Sequence, residues 1–314
     1  MIKITENAMR ELCEKLSIRH QDLSFLGGGR EDSDGTVYVY NQVNKKMVLK
    51  ILAIPELWEE EFTELENRIK YASYIGEHGI KLSYPLRNKN GNLYEVSKDN
   101  KHFYVAYIMD FCEGHNPECN ELTDEIVYKW GILTGKSHAV TKTFHIDGRG
   151  DKDEIDFFID KCRDVDVRKS WLQMKEELSK LPKGICDYGF IHNDNHQNNI
   201  IMDGNELTLI DFDCAGNQFF IQDITTPVQG LMFDVTGGLL EPVKDEERLK
   251  HFLDCFINGY ETQNHLDNKW YRLIPMFINY RRMLLFTCLQ DWLNTEPNLK
   301  NAMKKNILNA QELL

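Results

Sequence analysis

Two short stretches of the chain hold the residue types that chemistry needs. The first is Phe190-Ile191-His192-Asn193-Asp194-Asn195-His196-Gln197-Asn198-Asn199-Ile200-Ile201-Met202, and the second is Leu207-Thr208-Leu209-Ile210-Asp211-Phe212-Asp213. Asp203-Gly204-Asn205 between them is hairpin-turn chemistry separating two apolar runs. The pattern reads strand, polar loop, strand, tight turn, strand, polar end, and it predicts that Asp194, Asn199 and Asp211 converge on one cleft. Two carboxylates and an amide suit phosphoryl transfer. An acceptor hydroxyl needs a carboxylate to orient it and take its proton, and a magnesium ion on the phosphates needs hard oxygen ligands. A sugar-cleaving carboxylate pair needs no lysine and no glycine-rich turn, yet upstream lie Gly27-Gly28-Gly29 and the single lysine of Met47-Val48-Leu49-Lys50-Ile51-Leu52.

These residues need elements to position them. Ile4, Ala8, Leu12 and Leu16 recur every four residues and predict a leading helix. The glycine run is followed by alternation at Val37 to Tyr40, a polar turn over 41–46 and the lysine-bearing strand. Between Pro55 and His78 a helix carries Glu59, Glu60, Glu61, Glu64 and Glu66, with Leu65, Ile69, Ala72 and Ile75 as its buried face and Gly79 as its stop. Strands at 93–96 and 102–109 complete a small α+β lobe of about five short strands with one helix. Beyond it, Thr123 caps a helix bearing Ile126, Trp130, Leu133 and His138. An acidic stretch follows over 147–160, and the segment from Glu246 onward is mainly helical and rich in aromatic core residues.

Taken singly, each piece also has a plain structural reading. Glycine triplets punctuate many loops, a lysine in an apolar strand sits on an edge or on a solvent face, and acidic helix residues mostly face water. The order of the pieces is what joins them.

Composition sets the outer bounds. At 314 residues, with 42% hydrophobic content, the chain is globular and large enough for about two domains. Its 50 acidic against 37 basic side chains leave a net charge of −13, without the basic footprint that nucleic acid requires. The longest apolar runs, such as Met283 to Phe286, are far shorter than a membrane span. The N-terminus lacks the basic start and apolar stretch of a secretory signal. Eight scattered cysteines without a CxxC pair read as reduced thiols in a cytoplasm, and the nearest two, Cys112 and Cys119, lack further ligands for zinc. The expectation is a cytoplasmic monomer or weak dimer that binds neither nucleic acid nor membrane.

His192-x-Asp194-x-x-x-x-Asn199 and Ile210-Asp211-Phe212-Asp213 resemble the catalytic loop and metal-binding segment of the aminoglycoside phosphotransferase and choline kinase family. The likeness covers nearly the whole chain, with Leu26 to Tyr40 as the phosphate-covering turn and Met109 to Cys112 as the adenine-contacting hinge. It implies a two-lobed protein-kinase-like fold of class α+β. A nucleotide-binding lobe spans 1–108, with an antiparallel sheet and a helix, a hinge spans 109–112, and a larger, mainly helical lobe spans 113–314.

It further implies that Asp194 is the catalytic base, that Asn199 and Asp211 hold magnesium, and that Lys50 contacts the ATP phosphates. Gly28, Gly29, Met109 and Phe111 would border the nucleotide. Glu66, better placed than Glu64, would hold Lys50, while His192 would brace the loop. Asp213 would assist the metal site, unless strand alternation points it away from Asp211. Asn193, Asn195 and Asn198 stand where the family commonly has glycine, leucine and glycine; asparagine tolerates left-handed backbone, which accounts for the first and third. The implied activity is ATP- and magnesium-dependent phosphorylation of a small hydroxyl compound, a cationic aminoglycoside or amino alcohol. A homoserine-type hydroxy amino acid kinase and a silent nucleotide-binding regulator are the alternatives.

Overall fold

The computed structural model describes residues 4–28, 35–55, 59–145, 154–229 and 246–310. Two compact units emerge: Met1–His115 with Ile201–Cys214, and Asn116–Ile200 with Ala215–Leu314.

In the first unit, helix α1 (Glu6–Leu16) starts at Thr5, whose hydroxyl accepts from the Ala8 amide. Strands β1 (Ser24–Gly28), β2 (Gly35–Gln42) and β3 (Lys45–Pro55) follow, then helix α2 (Glu59–Glu77) and strands β4 (Glu95–Lys98) and β5 (His102–Asp110). All pairings are antiparallel, in the order β1-β2-β3-β5-β4, so the expected five strands are present and β3 lies at the centre.

Alternation along β3 then sorts its side chains onto two covered faces. Met47, Leu49 and Ile51 pack with Leu12 and Leu16 of α1, while Leu52 and Ile54 pack with Leu65 and Ile69 of α2. Lys50 belongs to the second face and is only 8% exposed. The expectation of an edge or solvent face fails because both faces of this sheet carry a helix. The chain leaves the first unit after His115 and returns to it at Ile201.

The second unit opens with α3 (Asp124–Thr141), capped by Thr123 as expected, then α4 (Glu154–Lys161) and α5 (Val165–Ser179). Strand β6 (Tyr188–Ile191) follows, and the chain then returns to the first unit for the hairpin β7 (Ile200–Asp203) and β8 (Glu206–Leu209), whose turn places Gly204 at φ 57°. Strand β9 (Gly216–Phe219) pairs antiparallel with β6, from Tyr188 opposite Phe219 to Ile191 opposite Gly216. The described residues beyond it are mainly helical: α6 (Phe220–Thr225), α7 (Glu246–Glu261), α8 (Asn268–Tyr271), α9 (Ile274–Cys288), α10 (Gln290–Leu293) and α11 (Pro297–Leu308). Trp130, Trp171, Trp270, Phe256, Phe277 and Tyr280 are fully buried in this unit, as expected of its aromatics, whereas Trp292 is half exposed. Among the described residues no helix is long and apolar enough to cross a membrane.

Candidate active site

In the first unit the chemistry gathers on Lys50. Its ammonium lies 2.8 Å from Asp211 Oδ1 and 2.5 Å from Asp213 Oδ2. Tyr107, directly opposite Lys50 across β3 and β5, donates to Asp213 Oδ1 at 3.4 Å. Burial alone would lower the lysine pKa, but the Asp213 and Asp211 carboxylates override it and hold the ammonium well above its ordinary value. Gly35 makes room for this side chain, because a Cβ there would meet Lys50 Cε at 2.9 Å.

Asp213 therefore does not point away. Residues Phe212–Cys214 form a 3-10 turn, not a strand, and Asp211 enters it at φ 63°. Strand alternation does not apply to a turn, so both carboxylates reach the same lysine. Phe212 is buried between them, its ring 6.1 Å from that of Tyr71 on α2.

Among the described residues, the expected pairing of Lys50 with Glu66 or Glu64 is not formed. Glu66 instead accepts from the Tyr94 hydroxyl at 2.8 Å and pairs with Lys70 at 3.0 Å, one helical turn on, while Glu64 pairs with Arg68 at 3.5 Å. The two aspartates occupy the lysine in their stead.

Gly28 takes φ 82°, and a Cβ there would meet the Gly35 carbonyl oxygen at 2.1 Å, so glycine is required on entry to the turn. Gly29 lies outside the described residues. At the expected hinge, Met109 sits opposite Val48 and packs on the α2 face of the sheet, and Phe111 donates its amide to the Lys46 carbonyl at 3.3 Å. The Lys46 ammonium lies 3.5 Å over the Phe111 ring.

In the second unit the loop after β6 is pinned from several sides. The Asp223 carboxylate, 2% exposed, accepts the amides of His192 at 3.0 Å and Asn193 at 2.8 Å and faces His138 Nε2 at 3.2 Å. His138 in turn meets the Tyr260 hydroxyl at 2.8 Å and stacks on Phe220. Asn193 stands at φ 65°, the left-handed backbone that asparagine tolerates. Its amide nitrogen donates to both oxygens of Glu154 at 3.0 Å, and Glu154 accepts from Tyr280 at 3.1 Å. Asn198 differs from expectation: it is not left-handed but part of a 3-10 turn over Gln197–Asn199, capped by His196.

Asn195 replaces the common leucine for a visible reason. It is 1% exposed, accepts from Trp130 Nε1 at 2.8 Å, and donates to Thr134 Oγ1 at 2.9 Å and to the Asp223 carbonyl at 3.2 Å. A buried indole N–H and a buried hydroxyl need such partners.

Asp194 is held with corresponding care. Arg281 of α9 pairs with its Oδ1, Asn199 donates to Oδ2 at 3.0 Å and to its backbone carbonyl at 2.9 Å, and His196 Nε2 lies 3.4 Å from Oδ2. Arg281 is itself anchored through Nε to Gln229 Oε1 at 2.6 Å. Burial opposes ionisation of Asp194, but Arg281 and then His196 more than reverse it and hold the carboxyl well below the usual carboxylate range.

With its amide nitrogen committed to Asp194, Asn199 has its side-chain carbonyl oxygen left as the atom it could offer to a metal ion. Asp211 offers a carboxylate that is 48% exposed. Both donors are hard oxygens, the set that magnesium takes.

Arg281, Asp223 and Glu154 were not found by reading the sequence. Two signals were available: adjacent arginines in the apolar run of α9, and an aspartate within Phe219-Phe220-Ile221-Gln222-Asp223-Ile224. A charge in such a setting must be paired.

The chain is similar to known proteins along most of its length. A family profile described as "Phosphotransferase enzyme family" matches residues 22–249. An amicoumacin kinase of Bacillus subtilis (strain 168) is 25% identical over 321 residues, covering 97% of this chain and 92% of that protein. Among solved structures, an amicoumacin kinase in complex with AMP-PNP, Ca2+ and Ami superposes with a TM-score of 0.80 at 20% identity, covering 95% of this chain and 92% of its own. A microcompartment-associated aminopropanol kinase gives 0.72 at 14% identity, covering 97% and 98%.

Proposed function

This chain belongs to the phosphotransferase enzyme family, and from that premise we propose that it transfers the γ-phosphate of ATP to a hydroxyl of a small, amine-bearing molecule in the cytoplasm. The observation that carries the reading is the state of Asp194, a carboxylate kept ionised by Arg281 and fixed in direction by Asn199. Such a group orients an acceptor hydroxyl and receives its proton as attack proceeds.

Lys50 contacts the nucleotide phosphates, exchanging the Asp211 and Asp213 carboxylates for phosphate oxygens. Gly28 lets the backbone of the covering turn approach those oxygens, and Met109 and Phe111 border the base. Asn199 and Asp211 would hold magnesium, Asn199 through its amide oxygen. Magnesium, when bound, neutralises charge on the phosphates. Positioning and charge stabilisation then supply most of the rate, as phosphoryl transfer demands little covalent chemistry of the protein.

An amine on the acceptor accords with the net charge of −13 and with the relatives, one of which is a kinase of aminopropanol, an amino alcohol. The free cysteines suit a reducing compartment.

The test is ADP release against a panel of aminoglycosides, amino alcohols and hydroxy amino acids, amicoumacin included. The expected result is turnover that depends on one amine-bearing class. Turnover with homoserine alone would move the assignment to a hydroxy amino acid kinase. ATP binding without acceptor-dependent turnover would make the protein a nucleotide-binding regulator.

A further inference from the structure

Away from the residues assigned to phosphoryl transfer, Asp124, His251 and Cys255 come together on the paired helices α3 and α7. His251 and Cys255 are one turn apart on α7 and so share a face. Asp124 opens α3, and its Oδ1 lies 2.9 Å from His251 Nε2, which lies 3.8 Å from Cys255 Sγ. All three ligand atoms are within 4.8 Å of one another. We propose that these three side chains form a binding site for a divalent transition-metal ion of the zinc class.

The donor set argues for that class of ion. A carboxylate oxygen, an imidazole nitrogen and a thiolate sulfur suit a borderline cation, whereas magnesium and calcium take oxygens. Tetrahedral ligands at bond lengths of about 2.0–2.3 Å stand roughly 3.3–3.7 Å apart, so Asp124 and His251 would part by about 0.4–0.8 Å while the longer separations within the 4.8 Å cluster shorten by about an ångström at most. The carboxylate and the thiolate together balance the charge of a dication. On binding, the Cys255 thiol releases its proton to solvent, His251 binds as neutral imidazole, and water completes the fourth position.

The backbone holds the ligands in place. Helices α3 and α7 approach so closely that a Cβ at Gly131 would meet the Phe256 carbonyl oxygen at 2.0 Å, and one at Gly259 would meet that of Tyr128 at 2.0 Å. Helices locked at that distance present Asp124 to His251 without loop ordering. Asp124 and His251 are exposed, with side chains 73% and 63% accessible, so an ion reaches them directly.

The experiment is a Co2+ titration of the full chain without nucleotide, in excess Mg2+ and a non-thiol reductant. A near-ultraviolet thiolate-to-cobalt band should rise to a plateau at one equivalent and be displaced by Zn2+. Cys255→Ser should abolish it, and His251→Gln should weaken Co2+ binding by about 10-fold or more. Because both positions lie at the surface, these variants should keep the wild-type far-ultraviolet dichroism. Absence of the band, its survival in Cys255→Ser, or unchanged affinity in His251→Gln would each overturn the three-ligand site and leave Asp124 and His251 as a surface ion pair.

Discussion

Asp194 and Asp211 are both carboxylates assigned to the same reaction, yet their surroundings differ sharply. Asp194 is 22% exposed and closed in by Arg281, Asn199 and His196. Asp211 is 48% exposed, stands on strained left-handed backbone and shares Lys50 with Asp213. The first is fixed in charge and direction, as a group that must meet a hydroxyl at one angle should be. The second is accessible, as a group that must accept an ion and release it should be. Phosphoryl transfer separates these duties, and the difference in surroundings is what the proposed assignment of the two carboxylates calls for.

Several changes break or sharpen that contrast, the largest first. Asp211→Ala removes the exposed carboxylate. A metal contributes several kcal/mol of charge stabilisation, so turnover should fall on the order of 10²–10³-fold and magnesium-dependent nucleotide binding should disappear. Calorimetric titration of nucleotide with and without Mg2+ checks this, and unchanged binding removes Asp211 from the metal site.

Arg281→Gln attacks the enclosed carboxylate instead. Breaking a buried pair costs about 3–5 kcal/mol, and with Asn199 and His196 still in place about 2–3 is expected. The pH dependence sets the sign. In the native protein Asp194 is held below its unfolded value, so it contributes stability above the ordinary carboxylate range, and this is lost as pH falls through its depressed folded value. Without Arg281, burial acts unopposed by its main counter-charge. The acid limb of the kcat profile should move upward in the variant, and a limb that stays put contradicts the role of Arg281.

Asn195→Leu restores the side chain common in the family and touches neither carboxylate. It strips the acceptor from the Trp130 indole N–H, at a cost of about 1–3 kcal/mol. Thermal unfolding should register this while turnover changes least of the three.

The sequence made the local features legible. Gly204 takes the positive φ that a two-residue hairpin turn wants, and Asn193 takes the left-handed backbone that its glycine-like place required. The first follows from turn chemistry alone and the second from asparagine's tolerance of a place where the family has glycine. Lys50 was recognised, but the aspartate pair that holds it was not, because a turn at Phe212–Cys214 replaced the strand on which alternation depends. Strand β9 has only Gly216, Asn217, Gln218 and Phe219 and no alternating pattern to announce it.

The partners of the catalytic loop were hidden for another reason. Arg281 is 87 residues from Asp194, and Glu154 is 39 from Asn193. Contacts at that range are made by tertiary packing, on which periodicity and turn chemistry are silent. The ligands of the proposed surface metal site are separated likewise, Asp124 and His251 by 127 residues, whereas the sequence offered Cys112 and Cys119 as the nearest pair.

The assignment of Asp194 is tested most directly by Asp194→Asn, which keeps the shape and removes the charge and the basicity. Phosphorylated acceptor is quantified by mass, and nucleotide binding is measured on the same preparation. The account predicts nucleotide affinity within about threefold of wild type and phosphoryl transfer reduced by about 10²–10⁴-fold. Transfer at the wild-type rate with affinity unchanged would contradict it.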